Sequence, residues 1–70
     1  MGQTVQLTRR ERDVVGLVLE SRTGAEIGRI LGVKTNSVQA YLSRLYSRLG
    51  VRNRLELALR AEREHWLDSG

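Results

Sequence analysis

Seventy residues make one domain, and a chain this short buries only about 60% of the surface its unfolded form exposes, so its core is thin and cannot enclose an active site. With no cysteine and one histidine the chain cannot hold a disulfide framework, a cysteine-type zinc site or a thiol nucleophile, and no apolar run approaches the roughly 20 residues of a membrane span. The net charge of +4 is unevenly placed: no acidic residue lies between Glu26 and Glu56, where Arg29, Lys34, Arg44, Arg48, Arg52 and Arg54 stand, whereas the remainder of the chain is net acidic.

Start signals, apolar spacing and stop signals predict four helices and no strands. Thr8 followed by Glu11 is a capping box, which opens a first helix from about Arg9 to Glu20, with Val14, Val15 and Val18 on its apolar face. Thr23 and Glu26 repeat the device for a short second helix, about Gly24 to Leu31, in which Ile27, Ile30 and Leu31 recur at helical spacing. Gly28 in its middle is a poor helix residue, and the close approach of another helix across that point is the expected reason. After Gly32 a polar run leads into Val38, Leu42, Leu45 and Leu49, the inward positions of a third helix that Gly50 ends. Asn53 with Glu56 makes a third capping box, and a fourth helix is predicted to run to about Trp66, with Asp68 to Gly70 loose beyond it.

A short helix, a glycine-containing turn and a longer helix, here Gly32 to Leu49, form the helix-turn-helix pattern, in which the second of the two helices lies in the major groove of DNA. The spacing by itself also fits a structural bundle. The helical wheel separates the two readings. At about 100° per residue, Asn36, Ala40, Ser43 and Ser47 point outward with Gln39 beside them. A merely solvated helix usually carries Glu and Lys there, whereas one seated in a groove needs small side chains and neutral hydrogen-bonding groups.

Gln39 is the leading candidate for base readout, since its amide can donate to and accept from adenine. Ala40 suits a thymine methyl and Ser43 can bond to several bases. Lys34, Thr35, Asn36 and Ser37 stand at the front of the third helix, where its dipole favours phosphate, and Arg44 and Arg48 lie one turn apart on a flank that would straddle the backbone. Tyr41 sits between core and groove and suits either a phosphate contact through its hydroxyl or a buried edge.

The blocks Leu7-Thr8-Arg9-Arg10-Glu11-Arg12, Glu26-Ile27-Gly28, Ser37-Val38 and above all Leu49-Gly50-Val51-Arg52-Asn53-Arg54 resemble the LuxR-type (GerE-like) helix-turn-helix domain of bacterial transcription regulators. The resemblance covers about Leu7 to Ala61, with residues 62–70 as an extension, and implies an all-α fold without a wing: a three-helix core plus a C-terminal helix. It implies that the third helix reads double-stranded DNA through the positions held by Gln39, Ala40 and Ser43, that Ser37 stands at the family's phosphate-contacting Thr, and that the fourth helix commonly forms a homodimer on a two-part site. The chain departs from the pattern where the family often has Lys (Gln39 and Ser43) and usually His (Tyr41). Lys34 replaces a common capping Ser or Thr, so Thr35 is expected to take over the cap.

The same pattern turns Leu57, Ala58 and Ala61 to the core and leaves Leu55, Leu59 and Trp66 as an exposed stripe, a candidate dimer interface. For Trp66 the competing expectation is that it folds back on the thin core. A transcription regulator of this kind, stand-alone or the output domain of a longer chain, is expected in the cytoplasm with the nucleoid, with RNA polymerase as a further partner and no cofactor. A rival within DNA binding is a region-4-like sigma-factor domain, which shares the Leu-Thr-x-x-Glu opening but lacks the Leu-Gly-Val-Arg-Asn-Arg block. A rival from another class is a protein-interaction module acting as an antagonist. The polar residues converge on no nucleophile, base or metal constellation, so an enzyme is not expected.

Overall fold

Side chains start most of the helices. In the computed structural model, which describes residues 6–67, the helices are α1 (Arg9–Leu19), α2 (Gly24–Leu31), α3 (Thr35–Leu49) and α4 (Arg54–Arg63), with no strand among the described residues. The expectation for the tail from Asp68 falls outside them. Thr8 accepts from the Glu11 N–H at 3.1 Å while Glu11 accepts from the Thr8 N–H at 2.8 Å, and Thr23 with Glu26 forms the same reciprocal pair. Each such cap is worth about 1 kcal/mol. At α4 only half of the expected box forms: Asn53 accepts from the Glu56 N–H, but Glu56 reaches one residue further back, to the Arg52 N–H at 2.7 Å. Lys34, not Thr35, is the N-cap of α3, and no side chain caps that helix. Left-handed glycines end α2 and α3, Gly32 at φ 76° and Gly50 at φ 73°.

α2 packs on α3, and α1 on α4. The core between these pairs consists of Val14, Val15 and Val18 from α1, Ile27 from α2, Val38, Leu42, Leu45 and Leu49 from α3, Val51, and Leu57 and Ala61 from α4. Each fully buried aliphatic side chain contributes roughly 1.5–3 kcal/mol. The α2–α3 junction is tight. A Cβ on Gly28 would lie 2.6 Å from the Val33 carbonyl oxygen and 3.4 Å from Val38 Cγ2, so the close approach expected at Gly28 comes from the turn backbone as well as from α3. Only glycine lets the turn cross there.

The fourth helix ends earlier than its apolar pattern implies. Glu64 caps it, His65 turns into the left-handed region at φ 56°, and the Trp66 N–H bonds back to the Ala61 carbonyl at 3.0 Å. A left-handed residue other than glycine costs on the order of 1 kcal/mol. The reversal carries Trp66 into the core, where it is 6% exposed. Its indole N–H donates to Glu64 at 3.0 Å, and the Arg60 guanidinium lies 5.5 Å from its ring centroid. Arg60 also donates to the carbonyls of Leu49 and Gly50, so one side chain ties the end of α3 to α4 and to Trp66. Trp66 is therefore removed from the expected exposed stripe: its apolar area goes to the domain's own core.

Candidate nucleic-acid interface

The inward positions of α3 are the ones its four-three-four spacing marks, with Val38, Leu42 and Leu45 each 3% exposed and Leu49 at 9%. A helix anchored by one stripe presents the opposite stripe to solvent. Asn36, Gln39, Ala40, Ser43 and Ser47 are exposed there, and no formal charge stands among them. Gln39 is also supported from below. Its Nε2 lies 2.8 Å from the position that a Cβ on Gly24 would take, so the amide rests over the first turn of α2 where a bare backbone leaves room. Gln39, Ala40 and Ser43, the three base-reading candidates, thus share one accessible face, with Gln39 braced against the preceding helix.

The front and one flank carry the phosphate candidates. Lys34, Thr35, Asn36 and Ser37 are exposed at the uncapped start of α3, the end at which the helix dipole favours an anion. Tyr41 is half-buried, and the exposed Arg44 places its guanidinium 5.9 Å from the ring centroid. Burial and the nearby Glu11 carboxylate push the Tyr41 hydroxyl above its ordinary value. It therefore stays a neutral hydroxyl at physiological pH, able to donate to an anion.

Arg48 is placed differently. Its Nε and Nη2 donate to the two Glu11 oxygens at 2.8 and 2.5 Å, and Nη2 also reaches the Gln6 carbonyl. This fork holds the Glu11 carboxyl below its ordinary value, and the carboxylate in turn raises the guanidinium. The Arg48 Nε and Nη2 are thus engaged with Glu11 of α1 and with Gln6 before it. Arg48, expected as a backbone contact, ties α3 to the start of α1 through the Glu11 pair, with its side chain 46% exposed. Arg54 is half-buried, with Nη2 enclosed and without a hydrogen-bond partner. Of the six cations in the acid-free segment, Arg29, Lys34, Arg44 and Arg52 are exposed without a carboxylate partner among the described residues.

On α4, Leu55 is 69% and Leu59 57% exposed. They lie one turn apart, beside Arg52, Glu56 and Arg63. What remains of the expected stripe is a two-leucine patch ringed by charge.

These features match a known family along most of the chain. Residues 5–61 fit the family described as bacterial regulatory proteins, luxR family. The chain belongs to the LuxR family. Similar proteins include the transcriptional regulatory protein DesR of Bacillus subtilis (strain 168), 35% identical over 60 residues that make 86% of this chain and 30% of DesR. The putative HTH-type transcriptional regulator YhjB of Escherichia coli (strain K12) is 38% identical over 53 residues, 76% of this chain and 26% of YhjB. The transcriptional regulatory protein LiaR of Bacillus subtilis (strain 168) is 34% identical over 59 residues, 84% of this chain and 28% of LiaR. The chain thus spans less than a third of the length of these relatives. No solved structure matches it. The chain carries the helix-turn-helix DNA-binding domain of the LuxR family, all-helical as the sequence leads one to expect.

Three residues that shape this LuxR-family surface escape a reading of the sequence. Gly24 reads as the first residue of a capped helix, and nothing local shows that a side chain of α3 rests on it. Glu11 reads as half of a capping box, yet its two oxygens serve both the cap and Arg48, 37 positions away. Arg10 reads as surface charge on the first turn of α1, but it lines a cleft together with Tyr41 and Arg44. The charge of the Leu-Thr-Arg-Arg-Glu block was the only available signal for the last two.

Proposed function

We propose that this LuxR-family domain binds double-stranded DNA sequence-specifically as part of a transcription regulator, with α3 in the major groove. The observation that carries the reading is the exposed, uncharged, small-residue face of α3 with Arg44 and the uncapped helix start beside it. Gln39, Ala40 and Ser43 read bases; Lys34, Thr35, Asn36, Ser37, Tyr41 and Arg44 hold phosphates. A reading face without Lys or Arg makes few strong contacts, so two domains on a two-part site are needed for useful affinity. Leu55 and Leu59 supply the homodimer contact. RNA polymerase is the further partner that a transcription regulator meets, the nucleoid in the cytoplasm its location, and the domain has no catalytic step.

The test is selection of bound sequences from a random DNA pool, followed by titration of the winner at rising salt. The expected outcome is a motif with two related halves and a log–log salt slope of about −4 for a dimer using two phosphate-held cations per domain. Recovery of no motif, or binding indifferent to salt, overturns the reading.

A further inference from the structure

We propose that the cleft between α1, α2 and α3 is a binding site for a small amphiphilic organic anion, an aryl or alkyl carboxylate. The cleft holds about 260 Å³; Val14, Ile27 and Val38 close its base, already covered by their neighbours, and Leu31, Val33 and Tyr41 give it its accessible apolar wall. The Val33 side chain, 45% exposed, stands on its edge. Arg10 and Arg44 line it from α1 and α3, and neither has a carboxylate partner among the described residues. The Arg44 guanidinium lies 5.9 Å from the Tyr41 ring centroid, and Tyr41 lines the same cleft as Arg10.

Two requirements meet in this cleft. An accessible apolar wall favours a hydrophobic group, and a pair of guanidinium groups without carboxylate partners favours an anion. A DNA phosphate satisfies the arginines but leaves the apolar wall uncovered. A neutral hydrophobe does the reverse. A carboxylate on a short apolar body satisfies both, and the volume, near the lower end of small-molecule sites, limits that body to about one ring or a short chain. The site shares Ser37, Tyr41 and Arg44 with the proposed phosphate-holding flank, so occupancy by the anion and by DNA is mutually exclusive. That exclusion rests on the DNA reading, whereas the binding itself does not.

The experiment is a titration of the ¹⁵N-labelled protein, followed by amide NMR shifts at constant ionic strength, with three probes: 3-phenylpropanoate, its alcohol 3-phenylpropan-1-ol, and acetate. Saturable shifts centred on Val14, Ile27, Val33, Val38 and Tyr41 are expected for the carboxylate, with affinity about tenfold above that of the alcohol or acetate. Arg10 is exposed, so Arg10→Gln leaves the fold intact, checked by circular dichroism, and is expected to cut the carboxylate's advantage to under about threefold. Equal response to acid and alcohol, non-saturating shifts, or an unchanged advantage in Arg10→Gln overturns the proposal. In a second arm, 3-phenylpropanoate is expected to raise the apparent Kd for DNA in the wild type and to do so less in Arg10→Gln. Binding without that competition upholds the site and removes Ser37, Tyr41 and Arg44 from the phosphate flank instead.

Discussion

The outward faces of α3 and α4 are both open to solvent, and both belong to helices that bury their other side in the same core. They differ in what they expose. On α3 the exposed stripe is Gln39, Ala40, Ser43 and Ser47, small or neutral and able to hydrogen-bond. On α4 it is Leu55 and Leu59 within a ring of Arg and Glu. A groove in nucleic acid rewards donors, acceptors and low bulk. A protein partner rewards apolar area rimmed by charge. Exposure alone separates nothing here; the proposal of different partners for the two faces rests on the chemistry of what each exposes.

The assignment breaks most readily by placing a negative charge on each face in turn. Ala40→Glu is expected to weaken DNA binding by about 100-fold or more, because a carboxylate would face the phosphates and acceptor-rich base edges. Gel-shift titration checks it, and unchanged thermal unfolding shows that the fold is intact. Leu59→Asp on α4 should spare binding to a half-site but cost about tenfold on the two-part site, as paired binding is lost. Sedimentation at micromolar concentration should show monomer. An unchanged oligomeric state would take the dimer contact away from this patch.

Within α3, two arginines sharpen the same contrast. Arg44→Ala is expected to flatten the salt slope by about one per domain, whereas Arg48→Ala leaves the slope unchanged and lowers stability instead. The Arg48 effect depends on pH. The Glu11 carboxyl is held below its ordinary value in the folded state, so its contribution is complete above the unfolded carboxylate pKa and is lost as pH falls through the lower folded value. Acid unfolding followed by circular dichroism should therefore show wild type losing its advantage over Arg48→Ala in that acid window. The smallest effect is expected at Gly24. Alanine there would displace the flexible Gln39 amide while costing the helix nothing, so thermal stability should hold or rise slightly. Discrimination at one base pair per half-site should shift by a few-fold, measured with a panel of single-base variants.

The helices were legible because their signals are local. Thr8 with Glu11, Thr23 with Glu26, and Gly32 and Gly50 each act within a few residues of themselves. The exposed face of α3 was legible too, since a helix with one buried stripe leaves little freedom for the other. What escaped depends on pairings across the chain. Arg48 looks like Arg44 on a helical wheel, and only the arrival of Glu11 from α1 separates a structural arginine from a free one. Trp66 looked like the next step of a stripe beginning at Leu55 and Leu59. The stripe fails because the helix stops at Arg63 and His65 reverses the chain, and no glycine stands there to announce the turn. Gly24 and Gln39 meet because the turn folds α2 onto α3, and their separation in sequence hides it.

The burial of Trp66 also has an optical consequence. It is the chain's single tryptophan, enclosed beside Arg60 and Glu64 at the far end of α4, while the next residue, Leu67, accepts a hydrogen bond from Arg12 of α1. Ultraviolet emission therefore has one indole source, and it belongs to no residue of the proposed DNA contacts. Its wavelength and quenching follow how firmly the C-terminal turn is held against α1. Detachment of that turn can be watched in real time, without any added label, while α3 is engaged elsewhere.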